Sequence, residues 1–318
     1  MPEAGTSRTT HPATILVATD LCDLDRLMPH AFRQASETGA RLLLLHVLNS
    51  GASMAVDAVG MPYYDPSSAL EYSFKTLESW HAHGRERNIA CDVIVREGNP
   101  AQQIIAAVRQ FRADRILLGT RSRNKLSKLF LGSVAEQVLR SVHLPVFTVG
   151  PEAHLPEDVN NNHKVVLHAT TLREASRPSA VLACRIAASQ FARLVLLHVL
   201  PPIDEMTRKG EPTGLDSSAM HTLRALAEST NSSEGTHCAR VEPLIVHGNP
   251  SIEILATAVD LKASLIVLGA TDRSALKDLT RDRTIYRVLA HARCPVLTLR
   301  EASIEASPHS LEQTALQR

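Results

Sequence analysis

Aromatic residues are scarce in this sequence: Phe, Tyr and Trp make up 3% of 318 residues, and Trp occurs once. Platforms on which single-stranded bases stack are correspondingly few. Charge of one sign is also lacking. Lys and Arg number 34 against 33 Asp and Glu, and the formal net charge of +1 argues against the broad basic footprint of a nucleic-acid-binding protein. No apolar run approaches the ~20 residues of a membrane span, and the opening Met-Pro-Glu-Ala-Gly-Thr-Ser has no basic stretch leading into an apolar core. A cytoplasmic chain with neither a membrane nor a nucleic-acid partner is expected. The five cysteines, Cys22, Cys91, Cys184, Cys238 and Cys294, are odd in number, widely spaced and never in C-x-x-C, so buried thiols are expected. His81 and His83 would point apart on a helix, and no metal site is expected. Neither G-x4-G-K-[ST] nor G-x-G-x-x-G occurs, and no local motif sets a base beside a nucleophile, so nothing marks an enzyme.

What the sequence does contain, it contains twice. Arg41-Leu-Leu-Leu-Leu-His-Val-Leu48 returns as Arg193-Leu-Val-Leu-Leu-His-Val-Leu200, and Gly98-Asn-Pro100 returns as Gly248-Asn-Pro250. Ile116–Gly119 matches Ile266–Gly269 and Pro145-Val146 matches Pro295-Val296, all at offsets of 150 to 152. A constant offset across short motifs marks a duplicated domain. Residues 1–150 are read as the first domain, 151–162 as a polar linker with two prolines and three asparagines, 163–300 as the second domain and 301–318 as a polar tail.

Within the first copy, short apolar strands at Thr14–Ala18, Arg41–Val47, Cys91–Val95, Arg115–Leu118 and Pro145–Val149 alternate with helical stretches at 24–38, 67–87 and 100–111 and one after Gly132. Gly39 suits a helix C-terminus and Pro100 a helix start. The second copy repeats this order. Strands alternating with helices predict an α/β fold: two tandem copies of an open, mostly parallel five-stranded sheet with helices on both faces, a Rossmann-like architecture.

The stretch Gly119 to Ser133 reads as a loop between the fourth strand and a helix. It carries Arg121, Arg123, Lys125 and Lys128 and no acidic residue, directly before a helix N-terminus, where free N–H groups favour an anion. Gly119 is expected to supply a turn at positive φ, and Ser133 with Glu136 a capping box. The spacing Gly119-x2-Ser122-x9-Gly132-Ser133 resembles the G-x2-G-x9-G-[ST] signature of the ATP-binding branch of the universal stress protein (UspA) family, with serine in place of the middle glycine.

The resemblance implies an adenine-nucleotide-binding regulatory protein of the stress response, with ATP, alone or with Mg2+, in the N-terminal domain. Carried over residue by residue, it implies contacts from Thr19, Asp20, Val47, Leu118, Gly119, Arg121, Ser122, Gly132, Ser133 and Val134. It further implies that the two halves form an intramolecular pseudo-dimer through their last strands, with a homodimer as a further option, and at most weak ATP hydrolysis. Asp20 also reads as a turn or capping carboxylate, Val47 as a strand-end core residue and Ser133 as a plain helix cap. His46 and His198, at equivalent strand ends, are expected to contact the core. Cys22, two residues beyond Asp20, is expected to be an alkylatable thiol near the site. Aligned at an offset of 150, the second copy has Thr170 for Asp20, Asp272 for Ser122, Asp282 for Gly132 and Arg283 for Ser133, so the nucleotide is expected in the first half only. The alternative is a nucleotide-free dimeric interaction module or scaffold.

Overall fold

The computed structural model describes residues 12–49, 66–120, 131–154, 164–173, 176–202, 214–231, 240–271 and 283–301. Arg121, Ser122 and the other basic residues of that loop, together with Asp272, Asp282 and Cys238, lie outside the described residues.

The first half runs β1 (Thr14–Thr19), α1 (Leu24–Thr38), β2 (Arg41–Leu48), α2 (Pro66–Glu86), β3 (Cys91–Glu97), α3 (Pro100–Phe111), β4 (Arg115–Gly119), α4 (Ser133–Ser141) and β5 (Val146–Val149). The second runs β6 (Val165–Ala169), α5 (Arg177–Ser189), β7 (Arg193–Leu200), α6 (Gly214–Asn231), β8 (Val241–His247), α7 (Pro250–Asp260), β9 (Leu265–Thr271), α8 (Arg283–His291) and β10 (Val296–Glu301). Local chemistry sets several of these boundaries. Gly39 ends α1 in the left-handed region at φ 73°, its N–H bonded to Ala35 O. Asn99 and Asn249 cap α3 and α7 through their side chains, each followed by proline at the first helical position.

Each half is a five-stranded parallel sheet, and the ten strands form one sheet in the order β3-β2-β1-β4-β5-β10-β9-β6-β7-β8. Strand alternation divides its side chains between two cores. On one face Leu16, Leu43, Leu45, Ile116 and Leu118 pack with Ile104 of α3, Val138 and Leu139 of α4 and their second-half counterparts Ile254, Val288 and Leu289. On the other, Ile15, Val17, Leu42 and Leu44 pack under Leu27 and Met28 of α1 and Leu77 of α2, with Leu182 of α5 and Leu223 of α6 in the second half. The leucine run of β2 is buried from Leu42 to Leu45 because helices cover both faces.

The halves join where β5 and β10 pair antiparallel, Phe147 opposite Leu297, with the Thr148 hydroxyl donating to Val296 O at 3.0 Å. Unpaired, each would be an exposed edge of a five-stranded sheet. Polar contacts reinforce the joint. Arg300 Nη1 donates to Arg140 O at 2.6 Å, and Glu37 of α1 accepts from Gln190 Nε2 at 2.9 Å with Lys164 Nζ 3.5 Å away. Gly150, one residue past β5, lies against the C-terminal end of α8. A Cβ there would stand 3.2 Å from Leu289 O and 3.5 Å from Ala292 O. No helix among the described residues is long and apolar enough to cross a membrane.

Gly150→Val is therefore expected to crowd carbonyls that belong to the other half and to lower the unfolding free energy by about 1–3 kcal/mol. Denaturant unfolding measures this, and an unchanged midpoint would show that the contact does not constrain the joint.

Candidate functional site

The carboxyl ends of β1, β2 and β4 are level: Thr19 pairs with His46, and Ala18 with both Leu45 and Leu118. The connections leave these ends in opposite directions, β1 toward α1 on one face and β4 toward α4 on the other. A crevice opens between connections that diverge in this way, which is the general place for a ligand in an open parallel sheet.

Eight of the ten expected residues lie among the described residues. Leu118 is buried, and Val47 and Val134 pack half-buried against the same apolar cluster. Thr19 and Asp20 are half-buried at the end of β1. The Asp20 carboxylate accepts from Cys22 N at 2.9 Å, an Asx-turn that leaves its second oxygen out of that bond. Gly132 and Ser133 begin α4, and Gly132 N donates to Thr120 O at 2.8 Å, which holds the start of the helix beside the end of β4.

Two local expectations are corrected. Ser133 is the first helical residue and Gly132 the N-cap, with no side-chain cap; Glu136 instead pairs with Arg140 at 2.9 Å one turn on. Among the described residues no side chain caps the start of α4, where helix N–H groups favour an anion. Gly119, for its part, is absent from the positive-φ glycines, which are Gly39, Gly98 and Gly248. It is a glycine for want of room: a Cβ would collide with the Asp23 carboxylate, and Arg26 Nη2 lies 3.6 Å from the same point.

Asp23 and Arg26 were not singled out from the sequence. Asp23 precedes α1 and is 9% exposed, accepting from the Thr19 hydroxyl at 2.7 Å. Burial pushes its carboxyl up to about 6, only partly offset by the Thr19 hydrogen bond and by Arg26, with Asp20 adding repulsion. Arg26, in the first turn of α1, is half-buried, and its Nε is enclosed without a hydrogen-bond acceptor among the described residues.

The second half repeats the frame but at a different offset. Leu21 N bonds the Thr19 hydroxyl and Leu172 N bonds that of Thr170, with both leucines at positive φ, 70° and 59°. His46 Nδ1 donates to Thr19 O and His198 Nδ1 to Thr170 O, each at 2.9 Å. Thr170 therefore corresponds to Thr19, and Thr171 takes the place of Asp20. The loss of the carboxylate stands, moved by one residue. The 151 offset also aligns Thr19-Asp-Leu-Cys-Asp-Leu-Asp-Arg26 with Thr170-Thr-Leu-Arg-Glu-Ala-Ser-Arg177. A T-x-L-x-[DE]-x-x-R repeat was the available signal for Asp23 and Arg26. Both histidines use Nδ1–H to tie the second strand of a half to the first, which is a structural role. Of the cysteines, Cys91, Cys184 and Cys294 are buried, while Cys22 is exposed and departs from the expected buried class. Among the described residues no group of three or more His, Cys, Asp or Glu could hold a metal ion.

The class these features define is a tandem, doubly wound α/β protein. Residues 13–150 and again 162–300 match the universal stress protein family, and the chain belongs to that family. The first curated relative is a universal stress protein of Methanocaldococcus jannaschii, 27% identical over 136 residues that cover 42% of this chain and 80% of the relative. Another from Thermus aquaticus is 29% identical over 137 residues, 43% of this chain and 98% of the relative. In three dimensions the chain resembles a universal stress protein from Archaeoglobus fulgidus, with a TM-score of 0.68 at 22% identity over 91% of this chain and 97% of that one. At that identity the likeness concerns the fold.

Two outcomes follow for Asp23. Gly119→Ala is expected to destabilise the protein by roughly 1–2 kcal/mol, and by much less in an Asp23→Ser background, where no carboxylate reaches the new methyl; additive effects in that cycle would separate the two residues. The second concerns pH. A carboxyl held at about 6 in the fold against 3.8 when free contributes no penalty below pH 4, where both states are protonated. Stability is lost as pH rises through 6, by roughly 3 kcal/mol at most. Asp23→Asn is expected to raise the unfolding midpoint over wild type at pH 7.5 and to lose that advantage at pH 4.

Proposed function

We propose that this protein is a stress-response regulator of the universal stress protein kind that binds one adenine nucleotide, ATP alone or as its Mg2+ complex, in its first half. One observation supports the reading: the carboxyl ends of β1, β2 and β4 are level, with Asp20, Val47 and Leu118 at them, and Gly132 N at the start of α4 donates to Thr120 O just past β4. In this reading the apolar surface of Val47, Leu118 and Val134 takes the adenine, Asp20 and Thr19 the polar edge of the nucleoside, and Gly119, Arg121, Ser122, Gly132 and Ser133 the ribose and phosphates. The α4 terminus supplies N–H groups and a partial positive charge where phosphate would lie. The second half keeps the frame and loses the chemistry, with Thr171 for Asp20 and, in sequence, Asp282 for Gly132.

A second reading, a nucleotide-free scaffold, is favoured by the buried carboxylate of Asp23 at the end of β4, which repels phosphate when ionised. In either case the halves act as an intramolecular pseudo-dimer, with β5 and β10 as its seam. Nothing in either reading calls for a catalytic residue.

Calorimetric titration with ATP is expected to give one site per chain, and mass spectrometry of ligand released by denaturation to give adenine nucleotide. Gly132→Asp, which imports the residue of position 282, should weaken binding at least tenfold. Its fold should survive, because Gly132 sits at φ −59° and ψ 139°, open to any residue, and aspartate suits an N-cap. Two sites per chain, or a variant that binds as wild type does, would sink the proposal.

A further inference from the structure

We infer that Arg26 is a phosphate ligand of this crevice, reaching it from the α1 side across the end of β4, and that it sets the preference for polyphosphate over the bare nucleoside. The inference rests on the proposed adenine-nucleotide site and assigns to it a residue outside the glycine-serine loop. Three features converge on the end of β4. The guanidinium reaches the end of β4, with Nη2 3.6 Å from where a Gly119 Cβ would stand and the Asp23 carboxylate nearer still to the same point. Its Nε is enclosed and has no acceptor among the described residues, and a buried N–H in that condition is costly. On the other side of Gly119, the Thr120 carbonyl holds Gly132 N at 2.8 Å, which brings the uncapped start of α4 to the same strand end.

The ordinary role for Arg26 is neutralising Asp23. That role is poorly met here, since the Asp23 carboxylate takes its hydrogen bond from Thr19 and remains pushed up to about 6. An arginine in a helix's first turn also opposes the helix dipole, an arrangement that costs a few tenths of a kcal/mol and that an anion at the same end reverses. Guanidinium offers paired N–H donors that match two phosphate oxygens. The charged groups facing Arg26 are Asp23 and, along α1, His30, held neutral by burial and by the neighbouring Arg33 and Arg26.

The test titrates wild type, Arg26→Gln and Arg26→Lys with adenosine, AMP, ADP, ATP and inorganic tripolyphosphate, by calorimetry and thermal shift. Wild type should prefer ATP to adenosine. In Arg26→Gln that preference should fall at least tenfold with adenosine affinity unchanged, which also shows that the variant is folded. Arg26→Lys should recover part of it, and tripolyphosphate should stabilise wild type and not Arg26→Gln. An ATP-to-adenosine ratio untouched by Arg26→Gln overturns the role of Arg26 and leaves the nucleotide site standing. Arg26-dependent tripolyphosphate binding without any adenosine or ATP preference keeps Arg26 as an anion ligand and overturns the nucleotide reading. Wild type that binds none of the probes overturns both.

Discussion

The rest of this structure depends on the pairing of β5 with β10. A five-stranded open sheet with helices on both faces has two edges, and every unpaired edge is a row of N–H and C=O groups available to another chain. Joining the two copies along these strands makes one ten-stranded sheet and leaves β3 and β8 as its outer strands. Both carry residues that blunt an edge, Asp92 and Arg96 on one and Glu242 and Pro243 on the other. The seam also buries Phe147 and Leu297 and fixes how the helices of the two halves meet.

Much of this architecture could be read in the sequence because it rests on short-range chemistry. The leucine run of β2, Gly39 after α1 and Pro100 at the head of α3 each act on their own neighbours, and the repeated Gly-Asn-Pro announced the duplication. What could not be read depends on where side-chain tips meet. Glu136 has the spacing of a capping partner, yet in the fold it has Arg140 one turn ahead, and the helix begins a residue earlier than a Ser133 cap would allow. Gly119 was assigned a backbone role because glycine usually has one; its constraint is the carboxylate of Asp23, four residues beyond a different strand. The one-residue slip between Thr19–Thr170 and the 150 offset was easy to miss because the motif is short and Thr170 and Thr171 are adjacent.

The buried ionisable groups pull stability in opposite directions with pH. His30 and His168 are both lowered to about 4, chiefly by burial, and both must be neutral in the fold. Their contribution is complete above the ordinary histidine value of 6.5 and is lost as pH falls through the range down to 4. Asp23 acts in the other sense, its penalty growing as pH rises toward 6. The histidines belong to the core: His30 lies 6.2 Å from the Phe147 ring, and His168 Nδ1 donates to Val267 O at 3.0 Å. Asp23 belongs to the strand ends.

The two halves are copies in topology but not at their seam. Gly150, just past β5, and Arg300, near the end of β10, occupy matching places at the 150 offset. Gly150 lets the chain lie against the carbonyls of Leu289 and Ala292 at the end of α8, while Arg300 donates to the carbonyl of Arg140 at the end of α4. Two glycines would leave the end of α4 without that donor, and an arginine at position 150 would need space that the α8 carbonyls fill. The joint is thus satisfied by one half of each kind, and pairing a half with its own duplicate would lose a contact or create a clash. The second half's strand-tying elements, the threonine, the leucine at positive φ and the Nδ1-bonded histidine, persist at Thr170, Leu172 and His198, whereas the carboxylate beside them gave way to Thr171.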